Sequence, residues 1–160
     1  MTQFRAADVA ACIISEALDS DKPASNLRLQ KLLFFCQCKH LQTARVVLFP
    51  DDIVAWQYGP VVRSVYHVYS YRGASPIKRA ALFVEDHTSG RAPIKQLDRT
   101  SLEIVRDVLS VWLTKPAWDL VNKAHQQGGA WDKVYNAGGI MGSGYGNTIP
   151  ISLMMEERLT

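Results

Sequence analysis

A mainly α domain is the fold class this sequence predicts: a compact bundle of about six helices around a central apolar helix, residues 26–42, with one small β element. Three observations predict it. Apolar residues recur at three- and four-residue spacing along most of the chain, the period of a helix with one buried face. The stretch 26–42 is apolar nearly all round, which suits a helix surrounded by others. Only Ala55-Trp56-Gln57-Tyr58-Gly59-Pro60-Val61-Val62 alternates clearly enough to read as a strand. At 160 residues and 48% apolar composition, the chain suits a single domain, 1–160, that buries its own core.

The elements follow in order. Residues 6–19 form a first helix with Val9, Cys12, Ile13, Ile14 and Ala17 on its apolar stripe. A polar turn, Asp19 to Pro23, leads to Ser25, whose hydroxyl can cap the helix that follows. In that helix Leu29, Leu32, Leu33, Cys36 and His40 share a face, while Leu27, Phe34, Phe35 and Leu41 cover much of the rest. Val46 to Phe49 is a short extended piece, and Asp51-Asp52 turns the chain into the Trp56 strand. Gly59-Pro60 reads as the stop of that strand, because Pro60 is preset for a first helical turn. The next helix then begins at Val61, carries Val62, Val65, Tyr66 and Tyr69 on one side, and ends near Tyr71 before Gly73.

Residues 74–97 are the least regular, with a strand over Ala80–Val84, a turn at Thr88-Ser89-Gly90 and a return over Ala92–Lys95. Asp98 or Thr100 caps a helix over 101–113 with Leu102, Val105, Leu109 and Trp112 as its stripe. A helix over 117–126 ends at Gly128-Gly129, and Ala130–Tyr135 is a short helix or turn. Residues 138–147 are glycine-rich and read as a mobile surface loop, and Pro150 opens a last helix over 151–158.

Composition and motifs narrow the chemistry. The net charge of +3 is not localised: Lys and Arg against Asp and Glu number six to four over 1–50, six to four over 51–97, and six to seven over 98–160. A nucleic-acid binder concentrates its basic residues on one face, so nucleic acid is not the expected partner. The nearest approach to a basic patch is Arg72, Lys78, Arg79 and Arg91. Three cysteines without framework spacing argue against a secreted disulfide scaffold, and neither a signal peptide nor a membrane span is legible, so the expected setting is the cytoplasm.

Cys36-Gln37-Cys38-Lys39-His40 is not a metal site on one helix, since Cys38 lies about 200° round from Cys36 at ~100° per residue. Both thiols stand among Leu and Phe, a poor setting for a nucleophile. Gly142-Ser143-Gly144-Tyr145-Gly146 has the composition of a phosphate loop but neither the preceding strand nor the following helix. The expectation is therefore a binding protein, not an enzyme, with no cofactor. The aromatics supply the binding surface, since Trp and Tyr dominate interface hot spots. Those near Gly59-Pro60 and Trp131 give the candidate partner-binding set: Trp56, Tyr58, Gly59, Pro60, Tyr66, His67, His125 and Trp131.

Several segments together resemble one family. They are Leu29-Gln30-Lys31-Leu32-Leu33-Phe34-Phe35, then Ala55-Trp56-Gln57-Tyr58-Gly59-Pro60-Val61 with Tyr66, then Leu120, Ala124-His125 and Ala130-Trp131, and finally Ile149-Pro150-Ile151. In this order they resemble the Panacea domain, the SocA-like or GepA-like phage-associated domain, over about residues 5–158. Ala124 stands where that pattern has Thr, Ala130 stands where it has Pro, and 138–147 is a glycine-rich insertion.

The resemblance implies a type II antitoxin that neutralises a cognate protein toxin, from an adjacent gene, by direct binding. One branch implies instead a proteolytic adaptor that delivers its toxin to the ClpXP protease. A phage-encoded regulator or nucleic-acid-binding effector, using Arg72, Lys78, Arg79 and Arg91, is the third reading. The oligomeric state is left open.

Overall fold

A computed structural model describes residues 4–86 and 90–160. It is mainly helical, as the periodicity predicts. Seven α-helices are present among the described residues: α1 (Ala6–Asp19), α2 (Asn26–Ala44), α3 (Arg63–Tyr69), α4 (Arg99–Trp112), α5 (Ala117–Ala124), α6 (Ala130–Tyr135) and α7 (Ile151–Met155).

The caps explain several boundaries. The Ser25 hydroxyl accepts the Arg28 N–H at the start of α2, and Asp98 accepts the Ser101 N–H at the start of α4. Each satisfies a donor that a helix start leaves unpaired, a contribution of about 1 kcal/mol. At α1 the Asp8 carboxylate accepts from the Arg5 N–H and guanidinium and from the Lys95 N–H. Burial alone would raise the Asp8 pKa, but these donors outweigh it and hold the carboxyl below its ordinary value.

α2 packs against α1, α3, α4, α5 and α7. Leu29, Leu32, Leu33, Phe34, Phe35, Cys36 and Cys38 are all buried in one continuous core with Ile13, Ile14, Phe49 and Leu120. Burial pushes the Cys12 thiol up to about 11 and the Cys36 and Cys38 thiols well above their ordinary value, so all three remain protonated packing groups near neutral pH. No helix of the described residues is long and apolar enough to cross a membrane.

The β content differs from the expected single element. Among the described residues two antiparallel ribbons are present: β1 (Val54–Trp56) with β2 (Gly59–Val61), and β3 (Phe83–Asp86) with β4 (Gly90–Pro93). The expected strand at 80–84 lies slightly later in the chain, and its return pairs Phe83 with Pro93. Most of its expected turn, Thr88-Ser89, lies outside the described residues.

Three other expectations are corrected. Gly59-Pro60 does not end the β segment; it is the return strand of a hairpin, with Trp56 opposite Gly59. The following helix starts at Arg63, not Val61, because β2 occupies Gly59–Val61, and it tightens into a 3-10 turn over Ser70–Arg72. The last helix ends at Met155, not 158, because the residues after it turn back to dock on α2 and α5. The glycine-rich segment supplies a third strand-like partner to β1. Ala55 N–H donates to the Asn147 carbonyl, Gly146 N–H to the Ala55 carbonyl, and Ile149 N–H to the Ile53 carbonyl.

Candidate functional site

The two motifs that the sequence makes conspicuous meet in space. β1 and β2 are joined through Gln57 and Tyr58, and neither adopts a positive φ. Two-residue hairpin loops ordinarily need positive φ in the loop itself. Here the next residue, Gly59, takes it up at φ +115°, a conformation that L side chains rarely adopt. The reversal leaves Tyr58 61% exposed at the tip while Gly59 and Pro60 are buried beneath it.

Four side chains from three different helical regions grip the backbone of this hairpin. From α2, the Gln30 amide oxygen accepts the Val62 N–H at 2.9 Å, and Lys31 Nζ donates to the Pro60 carbonyl at 3.3 Å. From the end of α5, His125 Nε2 lies 3.1 Å from the Gln57 carbonyl, while its Nδ1 lies 2.7 Å from the Val121 carbonyl. From α6, the Trp131 indole N–H donates to the Trp56 carbonyl at 2.8 Å. A two-stranded ribbon alone is marginal in water, and its outer edge is a row of unpaired backbone groups. Gln30 and Lys31 cover that edge. Gln30 is itself fixed, since its amide donates to Asn26 Oδ1 at 2.9 Å and Asn26 Nδ2 donates to the Tyr66 carbonyl at 3.0 Å.

The aromatic residues form a border around the same hairpin. Trp56 and Tyr66 meet edge to face with ring centroids 5.0 Å apart, and His67 abuts Tyr66 at 5.7 Å. On the other side His125 lies 3.9 Å from the Trp131 ring, which stacks on Tyr135 at 4.6 Å. The structure therefore gathers all eight predicted residues around one hairpin and divides them by depth. Tyr58 and His67 are exposed, and Trp56, Tyr66 and His125 are half-buried. Gly59, Pro60 and Trp131 are buried and support the hairpin from below.

Three residues central to this geometry are absent from the predicted set: the anchor Gln30 already described, Lys31 and Glu157. Lys31 is fully buried, with 0% relative exposure, and burial pushes its pKa down to about 7. The signal was present in its helix: where every face is apolar, no face is left to carry a lysine into water. Glu157 is also buried; one carboxylate oxygen accepts the Ala130 N–H at 2.8 Å at the start of α6 and the other accepts from the Gln126 amide at 2.9 Å. It thereby orients the helix that carries Trp131. The basic residues of the third reading fare differently. Arg72 donates to the Pro76 carbonyl and Arg91 lies over the Phe83 ring, while Lys78 and Arg79 are exposed.

The family described as "Antitoxin SocA-like, Panacea domain" matches residues 29–132. That span opens at the helix bearing Gln30 and Lys31 and closes just after Trp131, so it contains all four hairpin anchors. The chain is 34% identical over 133 residues to Antitoxin SocA of Caulobacter vibrioides (strain NA1000 / CB15N), covering 82% of this chain and 70% of that protein. No solved structure matches it. With two thirds of its length matched and its distinguishing motifs joined in one clamped hairpin, the chain belongs to the SocA-like Panacea domain family.

Proposed function

We propose that this chain is the antitoxin of a type II toxin–antitoxin pair and neutralises a cognate protein toxin, encoded beside it, by direct contact through the outer face of the β1–β2 hairpin. Tyr58 is the centre of that contact, with Trp56, Tyr66 and His67 around it. The observation that carries this reading is the clamp: Gln30, Lys31, His125 and Trp131 fix successive backbone groups of a hairpin whose tip is an exposed tyrosine. Pre-organised aromatic groups lose little conformational freedom on association, which favours binding. Gly59, Pro60 and Trp131 act from beneath by holding the tip in place. The family membership and the named relative support the antitoxin role. Binding, not catalysis, is the mode of action, and it takes place in the cytoplasm where the toxin is made.

Co-expression tests the proposal. The product of the adjacent gene should arrest growth alone and be silent with the wild-type chain. Tyr58→Ala should fold normally by circular dichroism yet bind the toxin at least tenfold more weakly, because a tyrosine at the centre of an interface acts as a hot spot whose truncation costs ~2 kcal/mol or more. A harmless neighbour, or a Tyr58→Ala chain that neutralises as well as the wild type, refutes it. Toxin half-life in cells with and without ClpXP separates occlusion from delivery to the protease.

A further inference from the structure

Gly59 rests against a cationic side chain that the fold places in its interior. A Cβ at position 59 would fall 2.7 Å from Lys31 Cε, 3.2 Å from Lys31 Nζ and 3.3 Å from His125 Cε1. The lysine therefore occupies the space that a side chain at 59 would take. An ammonium has three N–H donors, and among the described residues Lys31 has one acceptor, the Pro60 carbonyl. That carbonyl belongs to the residue two places beyond Tyr58, so a displacement of Nζ is transmitted to the tip through two peptide units.

We propose that Lys31 is a positioning residue for partner binding, which from inside the domain sets the stance of the Gln57-Tyr58 tip through the Pro60 carbonyl and the bare α-carbon of Gly59. The inference rests on the antitoxin reading for its functional half and on the isolated domain for its structural half. With a pKa of about 7, Lys31 changes charge across the physiological range. The charged form, with two further N–H groups to satisfy, draws water to Nζ and loosens the packing beneath the hairpin, whereas the neutral amine is served by the Pro60 carbonyl and stays dry. A partner seated on the tip excludes that water and favours the neutral form, so binding tightens as pH rises through neutrality.

Other titratable groups face this region. Residues 54–62 contribute Tyr58, at the exposed tip. The end of α5 contributes His125, against the same Gly59. Behind it α6 contributes Asp132, whose carboxyl is held below its ordinary pKa chiefly by Asn136 and the Gly128 N–H.

The test uses the full chain labelled with 13C at lysine Cε and uniformly with 15N. Between pH 6 and 9 the Lys31 Cε resonance, the Val61 and Val62 amides and the Trp131 indole N–H should titrate with one midpoint near neutrality. In Lys31→Met the hairpin resonances should lose that component, while in His125→Asn they should keep it. Affinity for the neighbouring gene's product should rise about fivefold from pH 6 to 8, the change expected if binding lowers the Lys31 pKa by about one unit, and Lys31→Met should flatten the rise. Hairpin resonances indifferent to Lys31 would overturn the proposal. So would coupled resonances joined to an affinity that does not change with pH. A neighbouring product that binds at no pH would count against the antitoxin reading alone, and the resonances would then decide whether Lys31 positions the hairpin.

Discussion

Replacing Lys31 by methionine should make the protein more stable, although it removes a hydrogen bond from the centre of the fold. The folded-state pKa is about 7 against an ordinary 10.5. At about 1.4 kcal/mol per pH unit, this difference represents about 5 kcal/mol of disfavoured charge at low pH. The sign follows from proton counting. Between pH 7 and 10.5 the unfolded chain binds the proton that the folded chain has released, so the stability of the wild type rises with pH across this window. Below pH 7 the full penalty is present; above 10.5 it is gone.

At pH 7 the site is half neutral in the folded state, so the penalty is about 4 kcal/mol. Methionine reaches about as far as Lys31 Cε and carries no charge. It leaves the Pro60 carbonyl without its donor, a loss of about 1–3 kcal/mol. The expected net gain at pH 7 is therefore about 1–3 kcal/mol. Urea unfolding of both proteins at pH 7, 8.5 and 10 measures it, and the difference between them removes the titration of every other lysine and tyrosine. The advantage of Lys31→Met should shrink as pH rises and be lost or reversed by pH 10, where only about 1 kcal/mol of the penalty is left against the lost hydrogen bond. A wild type more stable than Lys31→Met at pH 7, or a difference constant across the three pH values, would refute the reasoning.

Gly59→Ala should lower stability by about 2–4 kcal/mol in thermal melts, since it combines a strained positive φ with a close approach to Lys31 Cε; an unchanged melting temperature would contradict the clamp geometry. Trp131→Phe keeps a ring against Tyr135 but removes the donor to the Trp56 carbonyl, so it should cost about 1–3 kcal/mol and speed amide exchange in β1 more than in α4. Glu157→Ala should cost about 2–4 kcal/mol in urea unfolding, because the Ala130 N–H loses its acceptor in a buried setting and the Gln126 amide loses one in a half-buried setting.

Much of the helical framework is legible in the sequence because its signals are local. Ser25 and Asp98 cap the helices they were expected to cap, and the apolar period locates α1, α2, α4 and α5 within a few residues. The hairpin is less legible because its loop, Gln57-Tyr58, has none of the usual turn residues, and the glycine that makes the reversal possible stands one place later, beside a proline. That pair reads as a terminator when only neighbours along the chain are considered. The expectation of a mobile loop at 138–147 fails to register the backbone pairing of Gly146 and Asn147 with Ala55 for the same reason. The residues that gather around the hairpin are legible in the sequence as a group, but their depths are not. A sequence marks Trp56 and Trp131 alike as aromatic, whereas only packing makes one half-exposed and the other a buried donor.

The pairing of β1 with residues 146–149 also has a temporal consequence. A ribosome that has made the hairpin must add almost ninety more residues before the strand that flanks it exists, and the anchors His125 and Trp131 also come late. At about 5–20 residues per second that interval is on the order of 10 s. Contacts this distant along the chain form late and together. The tip proposed to meet the toxin thus acquires its full support only once residue 149 has been made, and a nascent chain shorter than that lacks both the flanking strand and the late part of the clamp.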